Sequence, residues 1–173
     1  MDIDERFMGE ALAEAAKALA QGEFPVGCVM VHRDRVLARG SRTGTAGRDR
    51  NELDHAEMRA LRQLSQAAVA FEPADLTVYC TLEPCLMCFS AIILAGIGNL
   101  AYAYEDVMGG GTACDRSQLT PLYRESRIGV RAGIRRAESL SLFKSFFSDP
   151  HQEYWRGSLL AEYTLGQEME NSP

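Results

Sequence analysis

Two short stretches of the chain carry residue types suited to metal-assisted hydrolysis. One is His-Ala-Glu at 55–57 and the other is Pro-Cys-Leu-Met-Cys at 84–88. Imidazole and thiolate are favoured zinc ligands, and a catalytic zinc takes three protein ligands so that water can hold the fourth tetrahedral position. His55, Cys85 and Cys88 form such a set. If the proline before Cys85 opens a helix, both sulfurs lie on one face of its first turn, where the helix dipole favours thiolate.

Glu57 lies two residues after His55 and is not needed as a fourth ligand. A carboxylate beside zinc-activated water can accept a proton and transfer it to a leaving nitrogen. A Cys-x-x-Cys pair alone also occurs in redox sites and zinc knuckles, but a structural zinc needs a fourth ligand. The spacing nominates none among the remaining cysteines and histidines, which are Cys28, Cys80, Cys114, His32 and His151. The combined pattern is typical of zinc nucleobase deaminases.

Length and composition indicate one globular domain over residues 1–173, with residues 149–173 as a C-terminal helical extension. The acidic N-terminus argues against an ordinary signal peptide, and the longest apolar run, 86–97, is too short to span a membrane. We therefore expect a cytoplasmic protein without a membrane partner. The odd number of cysteines, five, suits a reducing compartment.

The charge is unevenly distributed. A net charge of −6 disfavours a nucleic-acid partner, but the segments 32–50 and 116–136 each hold six arginines, with two acids in the first and one in the second. The segment 149–173 holds five acids and a single arginine. The two arginine-rich segments, which flank the metal motifs, are therefore candidate phosphate-binding surfaces.

The hydrophobic pattern predicts an α/β fold, a three-layer α/β/α sandwich around a mixed sheet of about five strands. The predicted helices span 4–21, 55–70, 84–95, 137–147 and 152–166, and the predicted strands span 26–31, 36–38, 76–80, 99–104 and 128–130. The first two strands form a hairpin around a tight turn. Both metal motifs then lie at helix N-termini on one edge of the sheet.

The chain resembles the cytidine deaminase-like superfamily, and most closely the bacterial tRNA-specific adenosine deaminases, over roughly residues 7–147. The resemblance rests on Phe-Pro-Val-Gly at 24–27, His-Ala-Glu at 55–57, Thr-Leu-Glu-Pro-Cys-Leu-Met-Cys at 81–88 and a glycine-rich stretch after the fourth strand. It implies that zinc is bound by His55, Cys85 and Cys88, that Glu57 is the general acid and base, and that the protein is a homodimer.

The chain departs from the family pattern in the residues expected to contact substrate. Many relatives have an asparagine that binds the ribose soon after the second strand, where this chain has Arg42. Arginine cannot accept a hydrogen bond, so ribose recognition changes or moves to another residue such as Asn51. The substrate-contact candidates are Arg42, Asn51 and Pro84. The aromatic residues of the extension, Tyr154, Trp155 and Tyr163, suit packing against the sheet better than stacking on a base.

The sequence thus predicts zinc-dependent hydrolytic deamination of a nucleobase, with adenosine in tRNA, converted to inosine, as the favoured substrate. One alternative is a deaminase of a free base or nucleoside, such as guanine, cytosine, cytidine or a related amino-heterocycle. A non-enzymatic alternative is a zinc-stabilised partner subunit. Glu57 argues against it, because a structural zinc site has no use for that carboxylate.

Overall fold

A mixed five-stranded sheet forms the centre of the fold. The computed structural model describes residues 2–47 and 50–168. The strands are β1 (Gly27–His32), β2 (Arg35–Ser41), β3 (Leu76–Leu82), β4 (Asn99–Tyr104) and β5 (Gly129–Arg131). Their order is β2-β1-β3-β4-β5; β1 is antiparallel to both neighbours, and β3, β4 and β5 are parallel. The predicted hairpin and mixed sheet are confirmed.

Helices cover both faces of this sheet. They are α1 (Ile3–Ala20), α2 (Ala56–Leu64), α3 (Leu86–Leu94), α4 (Pro121–Arg124), α5 (Arg136–Ser148) and α6 (Leu159–Gly166). Alternate residues of a strand point to opposite faces. Cys28 and Met30 accordingly join one core cluster with α2 and α3, whereas Val29 and Val31 join a second cluster with α1. Among the described helices, none has the length and apolarity needed to cross a membrane.

Two glycines let helices approach the strands at backbone distance. A Cβ atom on Gly40 of β2 would lie 2.0 Å from the carbonyl oxygen of Ala56, and one on Gly27 of β1 would lie 2.1 Å from that of Ala11. Any larger residue would push the helix away from the strand. Gly40 therefore sets the position of the start of α2, which carries the first metal motif.

The structure corrects three predicted helix boundaries. Helix α2 ends at Leu64 instead of near residue 70, because the following residues 65–70 are largely exposed and a short helix depends on packing. Helix α3 begins at Leu86, so Pro84 precedes the helix and does not open it. Helix α6 begins at Leu159 and not near 152, because turns occupy residues 154–157, with Trp155 in the left-handed region at φ 56°.

Candidate metal centre and active site

The two metal motifs meet at one end of the sheet. His55 is the N-cap of α2, Cys85 is the N-cap of α3, and Cys88 lies in the first turn of α3. Strand β3 ends at Leu82, directly before the second motif. Open α/β sheets bind ligands beyond the carboxyl ends of their parallel strands. The candidate ligands therefore occupy the position where this architecture places a site.

The three candidate ligand atoms form a triangle of zinc-site dimensions. The Nδ1 atom of His55 lies 3.5 Å from Sγ of Cys85 and 3.5 Å from Sγ of Cys88. A tetrahedral zinc with ordinary bond lengths separates its nitrogen and sulfur ligands by roughly 3.6 Å. Within residues 2–47 and 50–168, no other group of three histidine, cysteine or acidic side chains converges as closely. The donor set and its spacing fit zinc.

The environment of Cys85 favours its thiolate form. A side-chain hydrogen bond from Cys88, together with that from His55, outweighs the effect of burial and lowers the pKa of Cys85 to about 4. The thiolate is the form of cysteine that binds a metal. Cys85 is thus prepared to act as a ligand near neutral pH.

Glu57 lies beside this triangle with one carboxylate oxygen unpartnered. The residue is 2% exposed and lines the same cavity as His55 and Cys85. Among the described residues its Oε2 atom has no hydrogen-bond partner, a costly arrangement for a buried oxygen. Burial raises the pKa of Glu57, which suits a group that must both accept and donate a proton. The orphaned oxygen is available to a water molecule or substrate.

The cavity in front of Glu57 has a volume of about 240 Å³ and a mixed lining. Its apolar and aromatic side includes Phe24, Leu82, Tyr154 and Trp155, and its polar side includes Arg42, Glu52, Glu83 and Asp106. Flat apolar walls with a few polar groups are typical of pockets for ring-shaped ligands. The third aromatic of the C-terminal segment, Tyr163, instead stacks on Tyr104 of β4 at 6.2 Å between ring centroids.

Glu83 organises the glycine-rich segment 109–111 over the start of α3. Its Oε1 accepts hydrogen bonds from the backbone N–H of Thr112 at 3.1 Å and from the Thr112 hydroxyl at 2.5 Å. A Cβ on Gly110 would lie 2.4 Å from Oε2 of Glu83. The absence of a side chain therefore lets this segment reach the metal motif, where Gly110 forms a β-bridge with Cys85.

Arg42 lines the cavity, but its guanidinium is engaged by the protein. The residue is 2% exposed. Its Nη1 donates to three backbone carbonyls, those of Thr43, Asn51 and Asp54. Its Nη2 donates to Oε2 of Glu52 at 3.0 Å. Because Asp54 directly precedes His55, the hydrogen bonds of Arg42 stabilise the loop that leads into the first metal motif.

The other two substrate-contact candidates lie outside the cavity lining. The Asn51 side chain donates to Oδ2 of Asp54 at 2.7 Å and accepts from the Leu53 N–H at 2.8 Å, so it stabilises its own loop. The Pro84 carbonyl accepts from the Gly111 N–H at 2.9 Å. The structure thus brings together His55, Glu57, Cys85, Cys88 and Arg42, whereas the side chains of Asn51 and Pro84 are not part of the cavity lining.

Comparison with known proteins identifies the family. Residues 1–104 match the family model described as the cytidine and deoxycytidylate deaminase zinc-binding region. The chain belongs to this deaminase family. It is a zinc-dependent hydrolytic deaminase, and the alternative of a non-enzymatic zinc-stabilised subunit is set aside.

Several relatives of this deaminase are named for an action on tRNA. It is 34% identical over 142 residues to a tRNA-specific adenosine deaminase of Streptococcus pyogenes, covering 82% of this chain and 87% of that protein. It is 33% identical over 161 residues to the chloroplastic tRNA(adenine(34)) deaminase of Arabidopsis thaliana, covering 84% of this chain and only 12% of that protein. A solved structure from a study of A-to-I editing by tRNA:A34 deaminases matches with a TM-score of 0.65 and 33% identity, covering 79% of this chain and 98% of that one.

Proposed function

We propose that this deaminase converts adenosine to inosine in tRNA, with His55, Cys85 and Cys88 as the zinc ligands and Glu57 as the general acid and base. The observation that carries the proposal is the unpartnered Oε2 of Glu57, which is buried next to the ligand triangle and borders the cavity. The substrate follows from the relatives, since those with the most complete mutual coverage are named tRNA-specific adenosine deaminases at 31–34% identity.

The chemistry divides between the metal and Glu57. Zinc, when bound, supplies a Lewis acid that makes water nucleophilic near neutral pH. The Glu57 carboxylate accepts a proton from the attacking water, whose oxygen forms a bond to C6 of adenine. Glu57 passes that proton to the adjacent ring nitrogen, and a second proton transfer to the amino group lets ammonia depart as the C6 carbonyl of inosine forms.

The direct test is an assay of a synthetic anticodon stem-loop with adenosine at the wobble position. We expect inosine in the RNA and an equal quantity of released ammonia. A stem-loop with adenosine at that position replaced by guanosine is the matched control and should be inert. An enzyme with full zinc content that leaves the adenosine stem-loop unchanged would contradict the proposed substrate.

RNA binding requires cations free to meet phosphates, and six of the eleven arginines described in the two basic segments form ion pairs. Among the ion pairs are Arg39 with Glu10, Arg131 with Asp4, Arg135 with Glu138 and Arg136 with Glu105. Arg50 is one of the described arginines without an ion pair, and its Cζ atom lies 5.7 Å from the centroid of the ring of Tyr154, which lines the cavity. We propose Arg50 as a phosphate contact.

Deamination of a free base is the second candidate, favoured by the composition of the cavity lining. The cavity lining includes the aromatic residues Tyr154 and Trp155. It also includes three acidic residues, which are Glu52, Glu83 and Asp106. Aromatic walls and acidic acceptors suit a small, donor-rich heterocycle without a phosphate. Guanine, cytosine and cytidine, assayed beside the stem-loop for ammonia release, separate the two candidates by the ratio of kcat/KM values.

We also propose that the enzyme is a cytoplasmic homodimer, with the cytoplasm as the compartment where a bacterial-type tRNA enzyme meets its substrate. Support for self-association comes from α3, where Leu86 is 54% exposed and Leu94 is 64% exposed. Exposed leucines at the first and last positions of one helix offer apolar area to a partner. Light scattering should give twice the chain mass for the wild type, and Leu94→Glu should shift it toward the monomer. A wild-type monomer would contradict the proposal.

A further inference from the structure

Glu52 borders the same cavity as Glu57 and has one carboxylate oxygen fixed and the other open. Its Oε2 accepts a hydrogen bond from Nη2 of Arg42 at 3.0 Å and another from the Tyr154 hydroxyl at 2.9 Å. Its Oε1 makes no hydrogen bond to any residue in the described ranges, and the side chain is 54% exposed. The carboxylate therefore has a defined position and an unused acceptor that faces solvent or ligand.

Both groups that hold Glu52 are themselves fixed. Arg42 is locked by the three loop carbonyls that its Nη1 contacts. Tyr154 is 5% exposed, and its ring packs against Phe24 with 5.3 Å between centroids. A recognition group held in this way loses little conformational entropy when a ligand binds. The arrangement is typical of a preorganised acceptor.

We propose that Glu52 is a specificity-determining residue that accepts a hydrogen bond from the substrate, with Arg42 and Tyr154 as its positioning residues. The inference rests on the proposed function, because it assigns a role within that active site. A carboxylate only accepts, so the substrate must present a donor, either a sugar hydroxyl or an N–H of the base. Trp155, an aromatic residue of the same lining that is 43% exposed, suits the planar heterocycle that carries this donor.

This arrangement makes Arg42 a positioning residue and not a direct substrate contact. An asparagine at this position would offer the substrate both a donor and an acceptor, whereas Arg42 uses Nη1 and Nη2 on protein atoms. The acceptor function passes to Glu52, ten residues later, and depends on Tyr154, which is contributed by the C-terminal segment. Residues beyond the zinc motifs therefore take part in substrate choice.

The test is a comparison of kcat and KM among the wild type, Glu52→Gln, Glu52→Asp and Tyr154→Phe, on the adenosine stem-loop and on guanine. Glu52→Gln should lower kcat/KM by about 10- to 100-fold on the true substrate, mainly through KM, since a hydrogen bond to a charged group is lost. Tyr154→Phe should give a smaller loss, about 3- to 10-fold, because Arg42 still holds the carboxylate. Glu72→Gln is the control, since Glu72 is exposed and makes no side-chain hydrogen bond among the described residues.

A stem-loop with 2′-deoxyadenosine at the target position separates the two sources of the donor. If Glu52 accepts from the 2′-hydroxyl, the deoxy substrate costs the wild type as much as Glu52→Gln does, and the variant shows no further loss. If the donor is an N–H of the base, the two losses multiply. The first result identifies the 2′-hydroxyl as the partner of Glu52, and the second excludes it.

Unchanged KM in Glu52→Gln, with normal zinc content and thermal stability, would overturn the inference while leaving the proposed function intact. So would a loss confined to stability, because that is the effect of removing the counter-ion of Arg42 alone. Should Glu52→Gln not fold, Tyr154→Phe decides the question, since it leaves the ion pair in place. If the wild type deaminates guanine and not the RNA, the proposed substrate fails, and the KM comparison on guanine then decides the role of Glu52.

Discussion

Two parts of the active-site cavity, the metal end and the wall formed by Arg42, Glu52 and Tyr154, are built in different ways. At the metal end, the functional side chains lie within residues 55–57 and 84–88, at the starts of two helices. Another part of the lining is a wall in which Arg42 and Glu52 from one loop meet Tyr154, which lies 102 residues after Glu52 in the chain. Local spacing therefore determines the geometry within each metal motif, and the fold brings the two motifs together. The wall depends on tertiary packing throughout.

This difference separates chemistry from recognition. The metal end requires ligand atoms a few ångströms apart and one carboxylate beside them, and helix N-caps supply that with little freedom. The wall must match the outline of a substrate, and a loop anchored to a C-terminal segment can change without disturbing the ligands. We expect variants at the metal end to affect kcat or metal content, and variants at the wall to affect KM or stability.

The largest effect is expected at Glu57. Glu57→Gln preserves size but removes the group that accepts and donates protons, so kcat should fall by about 10²- to 10⁴-fold. Zinc content and thermal stability should remain near wild type, since Glu57 is not one of the three converging ligands. The measurements are steady-state kinetics, metal analysis and a thermal melt.

If Glu57→Gln kept the wild-type kcat and raised KM, Glu57 would contribute to substrate binding and not to proton transfer. The proposed separation of chemistry from substrate recognition would then be wrong. Glu52→Gln is the informative counterpart, since it makes the same chemical change at another residue of the same cavity lining. We expect Glu57→Gln to lower mainly kcat and Glu52→Gln to raise mainly KM.

A smaller effect, on stability, is expected from loss of a metal ligand. Cys85→Ala leaves a ligand set of His55 and Cys88 only, so zinc affinity falls and the stabilisation that zinc gives the native state disappears. For a metal present at a thousand times its Kd, that stabilisation is about 4 kcal/mol. The thermal midpoint and the bound zinc should fall together.

Chelation provides the control for this variant. A strong chelator should lower the melting temperature of the wild type toward that of Cys85→Ala and leave the variant unchanged. If the variant retained one equivalent of zinc and still melted like the wild type, Cys85 would not be a ligand.

The same division explains how much could be predicted from the sequence. His55, Glu57, Cys85 and Cys88 were identifiable because their spacing repeats a known chemical requirement, and the structure does bring them together. The strand pattern was readable for a similar reason, since β1 is buried on both faces and its sequence is accordingly a continuous apolar run. Helix ends were less predictable because residues 65–70 have helix-forming composition but no core to pack on.

The wall could not be predicted, because its contacts join residues far apart in the chain. Glu52 is an ordinary acidic loop residue until Arg42 and Tyr154 are placed around it. Asn51, chosen for its hydrogen-bonding groups, turns out to bond its own loop. Glu83 stands inside the second motif, but its role in binding the glycine-rich segment required the fold.

A moderate effect on stability is expected at Arg42. Arg42→Lys keeps the positive charge, but a single ammonium cannot reproduce the planar fork that binds loop carbonyls with one nitrogen and Glu52 with the other. We expect a loss of about 2 kcal/mol in the free energy of unfolding, from hydrogen bonds left unmade at a residue that is 2% exposed. Chemical denaturation gives the value.

The matched control is Arg33→Lys in the exposed turn between β1 and β2, which should change stability by less than about 0.5 kcal/mol. If Arg42→Lys were equally neutral, the loop that delivers His55 would be stable without the network. In that case the hydrogen bonds of Arg42 would contribute little to the stability of the wall.

The smallest effect, on RNA binding, tests whether the wall also meets the RNA backbone. Each neutralised phosphate releases counterions, so log K falls with log salt by close to one unit of slope per contact. Arg50 lies against Tyr154 at the cavity, whereas Arg33 lies at the opposite end of the sheet, in the turn after β1. Arg50→Gln should weaken stem-loop binding several-fold and reduce the salt slope by roughly one, and Arg33→Gln should do neither. Equal effects of the two substitutions would indicate a general charge effect. If Arg50→Gln had no effect on binding, the surface beside Tyr154 would not contact the RNA backbone.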